Sequence, residues 1–177
     1  MVIDCRVCGE AFVSHGSRGR TPSFCSSPCR QKAYRRRKSA QRDFVAMVGD
    51  RWVRAVGKRP VTPDGSPASS TNPATWSSFK SVQSGAGDGF GFILGNGLGC
   101  YDLDHVIEDG VAERWVRGFI EAIPERVLFM ETSMSGTGIH IFIEAEEARG
   151  SRRGQIERYS KSRFIRTTLK EIDLQTA

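Results

Sequence analysis

Four cysteines in the first 29 residues constrain this chain more than any other feature. Two residues separate Cys5 from Cys8, three separate Cys25 from Cys29, and sixteen lie between the pairs. Paired thiolates at such spacing close a tetrahedral structural Zn2+ site. The N-terminus lacks the charged-then-apolar pattern of an export signal, so the expected compartment is the cytoplasm, where such thiols are metal ligands rather than disulfides. A module of about 40 residues also has too small an apolar core to fold without a staple of this kind. Pro28, just before Cys29, suits the first turn of a helix. His15 reads as a loop residue rather than a substitute ligand.

The same segment is strongly basic. Residues 1–42 carry 10 Lys/Arg against 2 acids, a balance of +8, whereas the rest of the +6 chain sums to −2. Arg30, Lys32, Arg35, Arg36, Arg37, Lys38 and Arg42 follow one another without an intervening acid. That exceeds what solubility needs, and a basic ridge on a helix gives salt-sensitive, sequence-tolerant nucleic-acid affinity by releasing counterions from phosphates. Beyond it, Phe44, Met47, Val48 and Trp52 have the spacing of a helix face that docks on the next domain.

The remaining chemistry sits in three segments: Tyr101-Asp102-Leu103-Asp104-His105, Ser135-Gly136-Thr137-Gly138-Ile139-His140 and Ile156-Glu157-Arg158-Tyr159-Ser160. Strand side chains repeat every two residues, so Asp102 and Asp104 share a face with Cα atoms roughly 6.5–7 Å apart. Two such carboxylates suit a hard divalent cation, Mg2+ or Mn2+, that shares its other positions with water and substrate phosphates. Glu157, on a later strand, is the candidate third carboxylate. The Ser135 to Gly138 turn offers backbone N–H groups that can form an anion-binding nest. On the strand that follows, Ile139, Ile141 and Ile143 share one face and leave His140 and Phe142 on the other, the side of the carboxylates. Alternation turns His105 away from the aspartates. Cys100 shares their face without a partner at metal spacing and reads as a buried thiol.

In order and spacing these motifs resemble the archaeo-eukaryotic primase superfamily, and within it the bifunctional primase-polymerase domain of plasmids and phages. Gly57-Lys58-Arg59-Pro60, Asn72-Pro73-Ala74-Thr75-Trp76 and Gly89-Phe90-Gly91-Phe92 look like the N-terminal half of that domain, so the resemblance covers about residues 50 to 168. Cys5-Arg6-Val7-Cys8-Gly9 resembles a zinc knuckle, and the segment from Phe24 to Tyr34 resembles the helix start of a treble-clef finger. The resemblance implies an RRM-like catalytic core that makes or extends primers on single-stranded DNA template from nucleoside triphosphates. It further implies that Asp102, Asp104 and Glu157 hold Mg2+ or Mn2+ and that His140, with Ser135, Gly136, Thr137 and Gly138, contacts the incoming triphosphate. Lys58 and Arg59 would meet template or triphosphate, and Arg163, a further candidate for the nucleotide site, stands where such chains carry a basic residue after the third motif.

Punctuation between the motifs outlines the fold. Pro60, Pro63, Gly65 and Pro67 mark residues 60–72 as a loop, and Asn72-Pro73 opens a short helix through Trp76 and Phe79. A hairpin is expected from Phe90–Leu94 and Leu98–Asp104 about Asn96-Gly97, which puts the Asp102 strand near the centre of a sheet. Asp109 is the expected N-cap of a helix bearing Val111, Trp115, Phe119, Ile120 and Ile123 and ending at Pro124. Strands are expected over Val127–Thr132, Ile139–Glu144, Gln155–Tyr159 and Arg163–Thr168. The class is α+β, with helices on one side of a mixed or antiparallel sheet. The expected domains are 1–42, a zinc-binding module with a basic helix, and 43–177, a primase/polymerase-like catalytic domain.

With 38% hydrophobic and 26% charged residues the chain reads as soluble and globular, and no apolar run approaches a membrane span. The expected setting is the cytoplasm of a bacterial or phage-infected cell. No Gly-rich loop ends in Lys-Ser/Thr, so unwinding would fall to a separate helicase. Two other readings stay open. One is a replication-initiation endonuclease using Asp102, Asp104 and His140 with Tyr159 as nucleophile, although Ile141-Phe142 stands where a second histidine is wanted. The other is a non-catalytic zinc-dependent DNA-binding protein on a primase scaffold, against which the intact aspartates and His140 argue.

Overall fold

A computed structural model describes residues 1–14 and 21–172, so the expectation for His15 lies outside the described residues. Contacts along the chain divide it into two units, Met1–Arg42 and Asp43–Ala177. In the first, β1 (Val2–Asp4) pairs antiparallel with β2 (Ala11–Val13), Ile3 lying opposite Phe12. The turn between them carries Cys5 and Cys8. It is closed by the Cys5 N–H donating to the Glu10 carbonyl at 2.9 Å and the Gly9 N–H to that of Cys5 at 2.8 Å. Helix α1 (Ser27–Val48) begins beside the second cysteine pair. Ser26 Oγ accepts the Cys29 N–H at 3.4 Å, as an N-cap serine does, and Pro28 occupies the first turn.

All seven cations of α1 are exposed. Successive helical residues turn about 100° around the axis, so Arg35, Arg36, Arg37 and Lys38 form a collar rather than a single ridge. The helix also stops earlier than its apolar spacing suggests. Phe44 and Val48 are buried as expected, but Met47 is exposed and Trp52 opens a strand.

The second unit continues with β3 (Trp52–Val56), β4 (Arg59–Val61), a 3-10 turn (Pro73–Thr75), α2 (Phe79–Val82), β5 (Gly89–Ile93) and β6 (Leu98–Leu103). Then come β7 (Ile107–Glu108), β8 (Val111–Ala112), α3 (Arg114–Glu121), β9 (Val127–Thr132), β10 (Ile139–Glu144), β11 (Ser151–Arg153), β12 (Ile156–Tyr159) and β13 (Phe164–Thr167). The class is α+β with antiparallel sheets: one of five strands, ordered β11-β12-β6-β10-β9, and one of four, ordered β13-β5-β3-β4.

Two sheets replace the single sheet expected. The turn between β5 and β6 forms, with Gly95 bridging Leu98, but the strands then diverge. β5 pairs with β3 and β13, whereas β6 pairs with β10 and β12 and holds the centre of the five-stranded sheet. Apolar residues of both sheets, among them Trp52, Phe92, Cys100, Phe129, Phe142 and Ile165, form one core with Phe44 and Val48 of α1. The Phe44 ring lies 5.6, 4.9 and 4.8 Å from those of Phe92, Phe129 and Phe142. On the opposite face of the five-stranded sheet, Leu103, Ile139, Ile141 and Ile143 pack with Val116, Trp115, Phe119 and Ile120 of α3.

Three local expectations are corrected. Asp109 and Gly110, at φ 49° and 80°, make the turn of the β7–β8 hairpin, and α3 starts only at Arg114 after Glu113. This is the positive-φ Asp-Gly turn that tight hairpins favour. The helix opened by Asn72 is a 3-10 turn, capped as expected by Asn72 Oδ1 accepting the Ala74 N–H, and α2 is a separate helix capped by Ser78. Residues 60–72 are not all loop, because Pro60 and Val61 belong to β4. Among the described residues no helix is long and apolar enough to cross a membrane.

Candidate active site

The turn from β1 to β2 and the start of α1 bring four sulfurs together. Cys8 and Cys25 Sγ lie 3.6 Å apart, Cys25 and Cys29 3.6 Å, and Cys29 and Cys8 3.8 Å, with all four sulfurs within 4.8 Å of one another. Zn–S bonds of about 2.3 Å in a tetrahedron place sulfurs about 3.8 Å apart, whereas a disulfide needs about 2.05 Å. None of the five cysteines is in a disulfide. The backbone amides of Cys25 and Cys8 lower the Cys5 pKa to about 6. At Cys8 the Glu10 amide, and at Cys25 the Ser26 hydroxyl, are outweighed by contacts with neighbouring sulfurs, so those two pKa values move up. These four residues can bind a metal ion such as zinc.

The second cluster follows from strand register. Glu157 on β12 is the direct partner of Asp102 on β6, Asp102 of His140 on β10, and His140 of Glu131 on β9; Arg152 on β11 partners Glu157. Direct partners project to one face of a sheet, so Arg152, Glu157, Asp102, His140 and Glu131 form a charged row across all five strands. Phe142 and Cys100 lie two residues along on the same face, where both are fully buried. Burial, and next the Asp102 charge, push the Cys100 thiol pKa well up.

Asp104 lies just past the end of β6, its N–H donating to the Gln155 carbonyl at 2.9 Å. His105 is exposed beside it with φ 54°, turned out of the row. His140 Nε2 stands 3.6 Å from Asp102 Oδ1. Glu157 is held on three sides. Arg152 Nη1 lies 3.1 Å from one oxygen, while the Tyr159 hydroxyl donates to the other at 2.6 Å and Arg163 Nη2 stands 3.9 Å from it. Arg163 also stacks over the Tyr159 ring at 4.3 Å. Lys58 sits exposed in the β3–β4 turn of the four-stranded sheet, outside this row.

Electrostatics reflect the crowding. Burial raises the Asp102 pKa; His140 opposes this, while Asp104 and Glu157 reinforce it. Burial alone would lower the His140 pKa, but the Glu131 hydrogen bond and charge, with Asp102 and Asp104, outweigh it and move the net value up. Among the described residues, the cysteines are the set of three or more metal-ligating groups whose atoms all lie within 4.8 Å. The Asp102, Asp104 and Glu157 carboxylates are spread more widely, as mutually repelling anions are.

The Ser135 to Gly138 turn differs from an open nest. The Gly136 N–H donates to the Ser133 carbonyl, that of Thr137 to Ser135 Oγ, and that of Gly138 to Ser133 Oγ, so these amides are engaged within the turn. What it offers is a chain of hydroxyls, Ser133 to Ser135 at 3.0 Å and Ser135 to Thr137 at 2.8 Å. A Cβ at 138 would stand 2.7 Å from the Leu103 carbonyl, so Gly138 lets the turn approach β6.

Glu131 escapes motif reading altogether. It is fully buried and its Oε1 lies 2.9 Å from His140 Nδ1. The available signal was alternation along β9, which places an acid on the same inward face as Phe129.

No protein-family profile matches the chain. It is similar to the DNA Primase-polymerase of Nitratiruptor phage NrS-1, with 32% identity over 98 residues. The match covers 50% of this chain and 13% of that protein. The similarity supports a relationship to primase-polymerases.

Proposed function

We propose that the chain is a metal-dependent nucleotidyltransferase that makes or extends primers on single-stranded DNA during phage or plasmid replication. The observation that carries this reading is the register of Glu157, Asp102 and His140 as direct partners across three adjacent strands. Asp102, Asp104 and Glu157 would hold Mg2+ or Mn2+. The set fits such ions chemically, because it is all-carboxylate and because the mutual repulsion that helps raise the Asp102 pKa is relieved by a cation. Bound there, the metal would activate the primer 3′-hydroxyl and stabilise charge developing on the phosphates. Glu157 has to turn from Arg152 to join it. His140, charged to higher pH than a free histidine, the turn hydroxyls and Arg163 would orient the triphosphate, and Lys58 would meet template. The four cysteines would hold a structural Zn2+ and thereby frame the basic collar for template. The setting would be the cytoplasm. The raised Tyr159 pKa, set by burial and then by its bond to Glu157, disfavours the phenolate a Tyr159 nucleophile would need.

His140→Ala should raise the apparent nucleotide KM by about 10–100-fold, the range for losing a charged hydrogen bond, with template affinity unchanged. Replacing Arg35, Arg36 and Arg37 together should flatten the slope of log affinity against log salt by about 2–3 units as phosphate contacts are lost. An unaltered slope would make the collar a solvated surface. The reading itself is tested by metal-dependent incorporation of labelled nucleotide on single-stranded DNA, run with and without a primer to separate priming from extension.

A further inference from the structure

We infer that Glu131 is the positioning residue of this centre: it fixes the His140 ring so that Nε2 faces Asp102, and it is itself locked by the turn that follows β13. A buried carboxylate persists only when its oxygens are fully engaged. Glu131 meets that demand with five donors. Oε1 takes His140 Nδ1 at 2.9 Å. Oε2 takes Thr167 Oγ1 at 2.7 Å, the Thr168 N–H at 3.0 Å, Thr168 Oγ1 at 3.1 Å and the Leu169 N–H at 2.7 Å. Leu169 has φ 50°, a left-handed conformation uncommon for leucine, in the turn that points its N–H at Glu131.

The donors on the two oxygens differ in kind, and that difference fixes the histidine. Oε2 receives two main-chain N–H groups that cannot act as acceptors, so it is immobilised by backbone. Oε1 is then left facing Nδ1, which, with Glu131 ionised, carries the proton of this short hydrogen bond. With Nδ1 committed, the ring has one orientation, Nε2 directed at Asp102 Oδ1 at 3.6 Å. A carboxylate on one ring nitrogen sets what the other can do. The bland alternative is that Glu131 only fastens the turn from Thr167 to Leu169 and meets His140 by proximity.

Glu131→Gln separates the two. Its amide oxygen must serve the Thr168 and Leu169 N–H groups, so its NH2 faces Nδ1 and turns that atom from donor into acceptor. Side-chain 1H–15N correlation spectra should show a proton on His140 Nδ1 in the wild type and none in E131Q. In the incorporation assay, which rests on the nucleotidyl-transfer reading, E131Q should raise the nucleotide KM about tenfold, as for one charged hydrogen bond lost, in the direction of His140→Ala, with template affinity unchanged. The E131Q/H140A double variant should be no worse than H140A, since a residue acting through another does not add to its loss. Additive losses, or a wild-type KM in a folded E131Q, would overturn the inference. The spectrum needs no activity, so failure of the enzymatic reading leaves this test intact. If E131Q does not fold, the wild-type spectrum decides alone, and an unprotonated Nδ1 there rejects the positioning role.

Discussion

Chelation of metal from Cys5, Cys8, Cys25 and Cys29 should unfold Met1–Arg42 while Asp43–Ala177 stays folded. The two units differ in what holds them. Among the described residues up to Arg42, only Cys5 and Ser14 are buried, whereas the second unit has two apolar clusters. Among its described residues the first unit has no hydrophobic core that could stand in for a metal. Structural Zn2+ contributes about 10–16 kcal/mol of apparent binding free energy in small zinc modules at neutral pH, and that is folding free energy. Metal analysis should find about one Zn per chain. Chelator should remove part of the helical circular-dichroism signal, expose the segment to protease and leave a second, cooperative melting transition. Cys25→Ser should weaken template binding far more than nucleotide binding, because the collar on α1 loses its frame. A metal-free protein with the same spectrum and protease pattern would show that the sulfurs stabilise nothing.

Asp102→Asn should abolish nucleotide incorporation without unfolding the protein. The residue stands at the centre of the row, between Glu157 and His140, so losing its charge removes the one carboxylate adjacent to both. Charge stabilisation by a bound metal is worth several kcal/mol, and each 1.4 kcal/mol is tenfold, so a loss of about a thousandfold or more is expected. Stability should move the other way. Burial raises the Asp102 pKa, so ionisation at neutral pH opposes folding; this group's contribution improves as pH falls through the raised pKa and levels off below its ordinary value. Asn at 102 removes the ionisation, and the melting temperature should hold or rise slightly. A large drop in melting temperature would instead assign Asp102 a structural role.

The parts of this site legible in the sequence are those carried by local period. Alternation places His140 and Phe142 opposite Ile139, Ile141 and Ile143, and cysteine spacing gathers the four sulfurs. What depended on distant pairing was hidden. Glu131 Oε2 draws its partners from 36 to 38 residues away, and although alternation puts Glu131 on the face of Phe129, it does not tell a buried acid from a solvated one at a strand end. The division into two sheets is decided by β13 pairing with β5, Phe164 opposite Ile93, whereas the turn at Asn96-Gly97 looks the same whether its strands stay paired or part. Asp109 illustrates a local ambiguity: Asp before Gly suits a helix cap and a tight hairpin alike, and pairing of Glu108 with Val111 selects the hairpin. The edge strand β11 is fully exposed and polar, so it carried no hydrophobic pattern to read.

The decisive measurement is elongation of a labelled primer on single-stranded DNA by the purified chain, in Mg2+ or Mn2+ and in chelator, with wild type and Asp102→Asn side by side and template binding checked for both. The expected result is product growth by the wild type only when divalent metal is present, and none by Asp102→Asn despite equal template binding. Growth by Asp102→Asn at the wild-type rate, or a folded, template-binding wild type that adds no nucleotide with either metal, would contradict assignment of the Glu157–Asp102–His140 row to nucleotidyl transfer.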